Sequence, residues 1–167
     1  MRSSSVRVVS YLIVIAAAAC GTDIVFGVPA PGSEASVVET SVRAAGGRVH
    51  RSNLVIDSTT SRFELVNCEG GVTGECVESQ RVSGDVHRDR LAELFELAQS
   101  RAFRALKDEY RISGDVVPPD GGSTSLKVTV GDREKTIAVE HGASVPEVLT
   151  RFLCLTRAIH GTLLLCD

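Results

Sequence analysis

The sequence predicts an α+β domain in which a small antiparallel sheet of hairpins packs against two helices in two layers. Three observations predict it. Leu126, Val128 and Val130 alternate with Lys127 and Thr129, and Ile137 and Val139 alternate with Thr136, Ala138 and Glu140, the period of a hairpin with one buried face. Leu91, Leu94, Phe95 and Ala98 fall on one side of a 3.6-residue turn, the pattern of an amphipathic helix over about residues 88–99. Ser144 and Glu147 form an S-x-x-E capping box with Pro146 in the first turn, opening a second helix whose face is Val148, Phe152, Leu155 and Ile159.

The remaining elements follow from punctuation. Residues 49–57 read as a strand, as do 62–67, where Phe63, Leu65 and Asn67 alternate with Arg62, Glu64 and Val66. A turn-rich loop, residues 68–76, comes next, and 76–83 return as the partner strand. Phe103 and Leu106 continue the apolar spacing into a further helical turn. Pro118, Pro119, Gly121 and Gly122 make residues 114–122 a loop, Gly131-Asp132-Arg133-Glu134 supply the hairpin turn, and Gly161 stops the last helix. A strand, cysteine loop, strand, helix, hairpin and helix in that order make a single α+β unit.

Ahead of this unit lies a segment of different character. Arg2 and Arg7 stand before the uncharged run Tyr11 to Ala19, which ends in Ala17-Ala18-Ala19-Cys20. Basic end, apolar core and small residues in that order form an export signal, and the run is shorter than the ~20 residues of a membrane-spanning helix. The end of the run resembles a bacterial lipobox, which implies acylation of Cys20 after removal of residues 1–19. The alternative is an ordinary secretory signal cleaved near Ala19. Residues 20–47, with Pro29, Pro31, Gly32, Gly46 and Gly47, are expected to be a lipidated flexible tether, and residues 48–167 the domain. The expected location is the bacterial cell envelope, anchored in the bilayer. Gly21 in place of Asp after the cysteine favours the outer membrane by analogy with known lipoproteins; secretion is the alternative.

Export governs the reading of Cys68, Cys76, Cys154 and Cys166. An even set in an oxidising compartment favours two disulfides, with three connectivities open. Cys68–Cys76 would close the glycine-rich loop and Cys154–Cys166 would pin the C-terminal tail. A metal site competes poorly, because no CxxC or histidine cluster accompanies the cysteines.

Chemistry is sparse. There is no H-E-x-x-H, G-x-S-x-G or S-x-x-K, and Gly70 to Cys76 lacks the G-K-[ST] ending of a phosphate-binding loop. His50, His87, His141 and His160 are scattered near element boundaries and are expected to be solvated or locally hydrogen-bonded. A net charge of −3 without a basic block argues against nucleic acid. No catalytic residue, metal or cofactor is expected.

Phe63-Glu-Leu-Val, Gly70-Gly71-Val72-Thr73-Gly74, a Leu-rich helix at 90–98, Phe103, Pro118-Pro119-Asp120, the 126–139 hairpin and Pro146-Glu147-Val148-Leu149 together resemble emfourin-type domains over residues 62–160. That family consists of small α+β proteins, some of which inhibit thermolysin-like (M4) metallopeptidases. Val72 stands where an aromatic is usual, and the cysteine bracket and cysteine-ended tail are additions. The resemblance implies a non-enzymatic binding module, with Gly70, Gly71, Val72, Thr73 and Gly74 as the partner-binding loop and a secreted or envelope peptidase as partner. A structural envelope lipoprotein without inhibitory activity is the other expectation.

Overall fold

A computed structural model describes residues 34–45, 48–71, 77–113 and 121–161 of the chain. Within them the order is β1 (Ala35–Ala45), β2 (Arg48–Asp57), β3 (Arg62–Gly71), β4 (Val77–Asp85), α1 (Arg88–Gln99), α2 (Arg101–Arg104), β5 (Glu109–Tyr110), β6 (Gly122–Val130), β7 (Arg133–Glu140) and α3 (Glu147–Ile159). All strands join one sheet in the order β4-β3-β2-β1-β6-β7-β5. Every pairing is antiparallel except that of β5 with β7. The architecture is therefore a sheet-rich mixture of strands and helices, larger in its sheet than the two hairpins expected. Among the described residues no helix is long and apolar enough to cross a membrane.

The main correction concerns residues 35–45. Expected within a flexible tether, they form the strand that joins the two halves of the sheet, paired with β2 on one side and β6 on the other. Alternation identifies strands by apolar inward positions, and here the inward series is Ala35, Val37, Glu39, Ser41 and Arg43. Only the first two are apolar, so the period-2 signal fades after one turn of the pattern. Ordered structure thus begins well before residue 48. The signal segment, Cys20 and the rest of the tether before residue 34 lie outside the described residues.

Three smaller corrections share a cause in local backbone geometry. β3 continues through Cys68 to Gly71, with Gly70 opposite Val49 and Gly71 opposite Arg48, so the first half of the expected loop is strand. The hairpin between β6 and β7 turns on Gly131 and Asp132 alone, because Val130 already faces Arg133 and Gly131 takes φ 61°. Short hairpin turns of this kind require positive φ, which glycine adopts freely. Finally, the expected capping box does not form. Pro146 occupies the N-cap of α3 without a side-chain hydrogen bond, and Ser144 lies two positions upstream of that cap.

α1 matches the expectation: its buried residues are Leu91, Leu94, Phe95 and Ala98. The His87 side chain accepts a hydrogen bond from the Asp89 amide at 3.4 Å, capping the start. α3 is turned relative to the expected face, burying Leu149, Phe152 and Thr156, while Val148, Leu155 and Ile159 are only partly covered.

One core unites these elements. Val37, Ile56, Leu54, Leu126 and Ile137 from the sheet pack with Leu94, Phe95, Phe103, Leu149 and Phe152 from the helices, all at most 2% exposed. Phe103 and Phe152 meet with ring centroids 4.6 Å apart at 38°, a tilted contact worth ~1 kcal/mol beyond the buried area. At the sheet's outer strand Gly84 faces Phe63, whose ring lies 2.8 Å from where a Cβ would stand. The phenyl group thereby covers a backbone that glycine would leave bare.

Because β1 bridges β2 and β6, a chain beginning at residue 48 is expected to lose cooperative unfolding. The chain beginning at Gly21 should retain it. Thermal melts followed by circular dichroism compare the two directly; a sharp transition in the shorter chain would contradict the central role of β1.

Candidate functional site

Inward positions of the sheet change chemistry in steps along the strands. One row across β3, β2, β1, β6 and β7 reads Leu65, Leu54, Glu39, Leu126 and Ile137. Two residues further along, the row across β4, β3, β2, β1 and β6 reads Gln80, Asn67, Ser52, Ser41 and Thr124. Beyond that come Glu69, His50, Arg43 and Gly122. The apolar floor therefore passes through hydroxyls and amides into charge.

Glu39 marks the boundary. It is 7% exposed, and its Oε2 lies 2.7 Å from Thr156 Oγ1 of α3, with Arg157 Nε 4.0 Å from Oε1. Burial raises the carboxyl pKa above its ordinary value, and the Thr156 hydrogen bond and the Arg157 charge only partly oppose this. Thr156 Oγ1 also lies 2.9 Å from the Leu153 carbonyl. The single Thr156 hydroxyl proton is shared between the Leu153 carbonyl and the Glu39 carboxyl group.

His141, just past β7, lies across the polar row. Its Nε2 is 3.2 Å from Thr124 Oγ1 and 3.5 Å from Ser41 Oγ, and Thr124 Oγ1 donates to Ser41 Oγ at 3.4 Å. The ring reaches this position because residue 122 has no side chain. A Cβ at Gly122 would stand 2.4 Å from the Val42 carbonyl oxygen and 2.7 Å from His141 Nδ1. Burial first, then the charges of Arg43 and Arg157, lower the His141 pKa, favouring the neutral ring. His160 is lowered by burial too, opposed by a backbone hydrogen bond.

Two clefts open over this surface. One, of about 260 Å³, is lined by residues including Glu39, Ser41, Leu65, Arg157 and His160. The other, of about 300 Å³, is lined by residues including Arg43, His50, Cys68, Glu69 and Gln80. Ser41, Ser52 and Asn67 line both, so the clefts are two parts of one trough. It presents hydroxyls, amides, imidazoles and the guanidinium groups of Arg43, Arg51 and Arg157, beside two glutamates. Ser41 and His141 do not complete a nucleophilic triad, since Nδ1 lies over Gly122 and Thr124 is closer to Nε2 than Ser41 is. Among the described residues no three His, Cys, Asp or Glu side chains are grouped to hold a metal.

The residues singled out from sequence fall around this trough only in part. Cys68 lines it, and Cys68 and Cys154 are each disulfide-bonded. Cys76 and Cys166 lie outside the described residues, as do Val72, Thr73 and Gly74. Gly70 and Gly71 end β3 beside β2. Glu39, Ser41, Thr124 and Arg157 escaped the sequence reading altogether. The available signal was polar residues at alternate positions 39, 41 and 43.

A larger cleft, of about 870 Å³, lies between the end of α1, α2 and the β6–β7 hairpin, over Ala98, Phe103 and Val128. Its rim is a matched pair, Lys135 Nζ to Asp108 Oδ1 at 2.9 Å, and its wall holds Gln99, whose Nε2 is buried with no hydrogen-bond partner. Lys135 and Asp108 neutralise each other there, and the Gln99 amide nitrogen is shielded from solvent.

Two substitutions test these assignments. Gln99→Met removes the orphaned donor and should stabilise the fold by ~1 kcal/mol in denaturant unfolding. For Glu39 the sign follows from its raised pKa. Protonation is favoured in the folded state, so stability is greatest below the ordinary carboxylate pKa and falls as pH rises through the folded value. Glu39→Gln should therefore melt higher than the parent at alkaline pH, with the gap closing as pH drops below about 4. A lower melting point at alkaline pH would instead make the contact with Arg157 dominant. Comparison with protein-family models, with curated proteins and with solved structures finds no match for this chain.

Proposed function

We propose that the chain is a lipid-anchored, extracytoplasmic binding module without enzymatic activity, its helices covering one face of the sheet as a second layer. The observation that carries this reading is the polar trough beside Cys68, where a disulfide-bonded strand end borders an open polar surface. A bridge from Cys68 to Cys76 would hold residues 72–74 at that border, and a closed loop loses less entropy on binding than a free one. In the same reading Cys154 pairs with Cys166, and Cys20 carries the lipid that holds the module at the bilayer. The emfourin resemblance names the partner class: an M4-type metallopeptidase of the secreted or envelope space.

The soluble chain beginning at Gly21, titrated against a thermolysin-like peptidase, should inhibit it at near-stoichiometric ratio. Val72→Glu with Thr73→Lys should abolish that inhibition without lowering the melting temperature. No inhibition at micromolar excess would remove the peptidase as partner. Intact mass of the protein extracted from membranes reads the anchor and the cysteines together, as an added diacyl or triacyl mass and the loss of four thiol hydrogens.

A further inference from the structure

The two clefts meet at Ser41, and the charge around that point is one-sided. Arg43 stands two residues along β1 on the same face, and Arg157 reaches over from α3; both charges bear on His141 between them. Among the described residues no carboxylate lies within ion-pair distance of Arg43. The acid facing Arg157 is Glu39, at 4.0 Å, and burial disfavours its charge. Glu69, the other acid lining the trough, is turned to His50 Nδ1 at 3.5 Å.

We propose that the junction of the two clefts binds a carboxylate presented by an acidic protein segment, held between Arg43 and Arg157 with the Ser41 hydroxyl as a third donor. The inference rests on the trough being the module's contact surface, and names what the partner presents to it. Planar guanidinium groups match a carboxylate in two-point hydrogen bonding, which gives orientation as well as attraction. Phosphate fits less well. Guanidinium groups bind phosphate too, but the free backbone N–H donors that supplement them at helix N-termini and in turns are missing, because Ser41 and Arg43 lie in an interior strand paired on both sides. The small clefts also suit a single side-chain group. Gly122 is a positioning residue here, because its missing Cβ lets the His141 ring lie against Ser41, a donor of the site, and Thr124.

The test uses the soluble chain from Gly21 and three probes: a blocked Gly-Glu-Gly-Asp-Gly peptide, its Gln/Asn counterpart, and inorganic phosphate. The His141 ring signals are followed by NMR at constant ionic strength. A saturable shift with the acidic peptide alone, weakened about tenfold or more in Arg43→Gln and in Arg157→Gln, is the expected result. Unchanged melting temperatures confirm that these variants fold. Equal response to the Gln/Asn peptide, tighter response to phosphate, absence of saturation, or unaltered affinity in both variants would each overturn the proposal. Peptidase inhibition is scored separately, so inhibition with silent His141 signals removes this site and leaves the binding-module reading intact. Acidic-peptide binding without inhibition does the reverse to the peptidase assignment.

Discussion

Glu39 lies at the middle of the sheet, flanked by Leu54 on β2 and Leu126 on β6, with α3 above it. A carboxyl group in that place has to be satisfied from the helix side, because its strand neighbours are leucines and its backbone is already committed to the ladders on both sides. Thr156 provides the hydrogen bond, Arg157 Nε stands 4.0 Å away, and both sit at the end of α3. The orientation of α3 follows from this. A stripe through Val148, Phe152, Leu155 and Ile159 would give a wholly apolar contact, but the helix instead buries Leu149, Phe152 and Thr156. One polar contact at the core boundary turns the helix away from its simplest apolar face.

That contact also divides the sheet. On one side of Glu39 the inward positions are filled by Val37, Ile56 and Val128 beneath the aromatic cluster of Phe95, Phe103 and Phe152. On the other side they are Ser41, Ser52, Asn67 and Thr124, then Arg43 and His50. The trough begins where the apolar floor ends, and α3 supplies its near wall through Arg157 and His160. Fold and candidate site are therefore coupled through one strand, since β1 contributes Val37 to the core, Glu39 to the boundary and Ser41 and Arg43 to the site.

What was legible in the sequence tracks how far each element obeys a single period. α1 was fully legible, because Leu91, Leu94, Phe95 and Ala98 point one way and the opposite face is charged. The β6–β7 hairpin was legible where Leu126, Val128, Ile137 and Val139 alternate with polar residues, and lost where Gly122, Ser123 and Ser125 surround Thr124. β1 was missed for the same reason. Alternation can be read only from contrast between the two faces, and contrast vanishes when the inward face carries Glu39, Ser41 and Arg43. The capping box at Ser144 failed differently: a proline two positions later took the N-cap itself, a choice local spacing does not reveal. β5 was beyond reach, being two residues long and paired in parallel with β7.

The missed strand β1 brings Glu39, Ser41 and Arg43 to the trough, beside residues of β2, β3, β4 and α3. A sheet interior filled only for stability would carry valines and leucines at positions 39, 41, 52 and 124, extending the core by roughly 1.5–3 kcal/mol per fully buried side chain. The chain instead places there a carboxyl group whose burial is unfavourable to its charge, two serines and a threonine, and it keeps glycine at 122 so that a histidine can lie across them. Local rules are broken together, at one place, on strands that are otherwise well packed. Such concentrated departure is not explained by the stability of the fold, and it is the ground on which the binding role is proposed. It also argues that the trough, more than the glycine-rich end of β3, should be the first surface examined when a partner is sought.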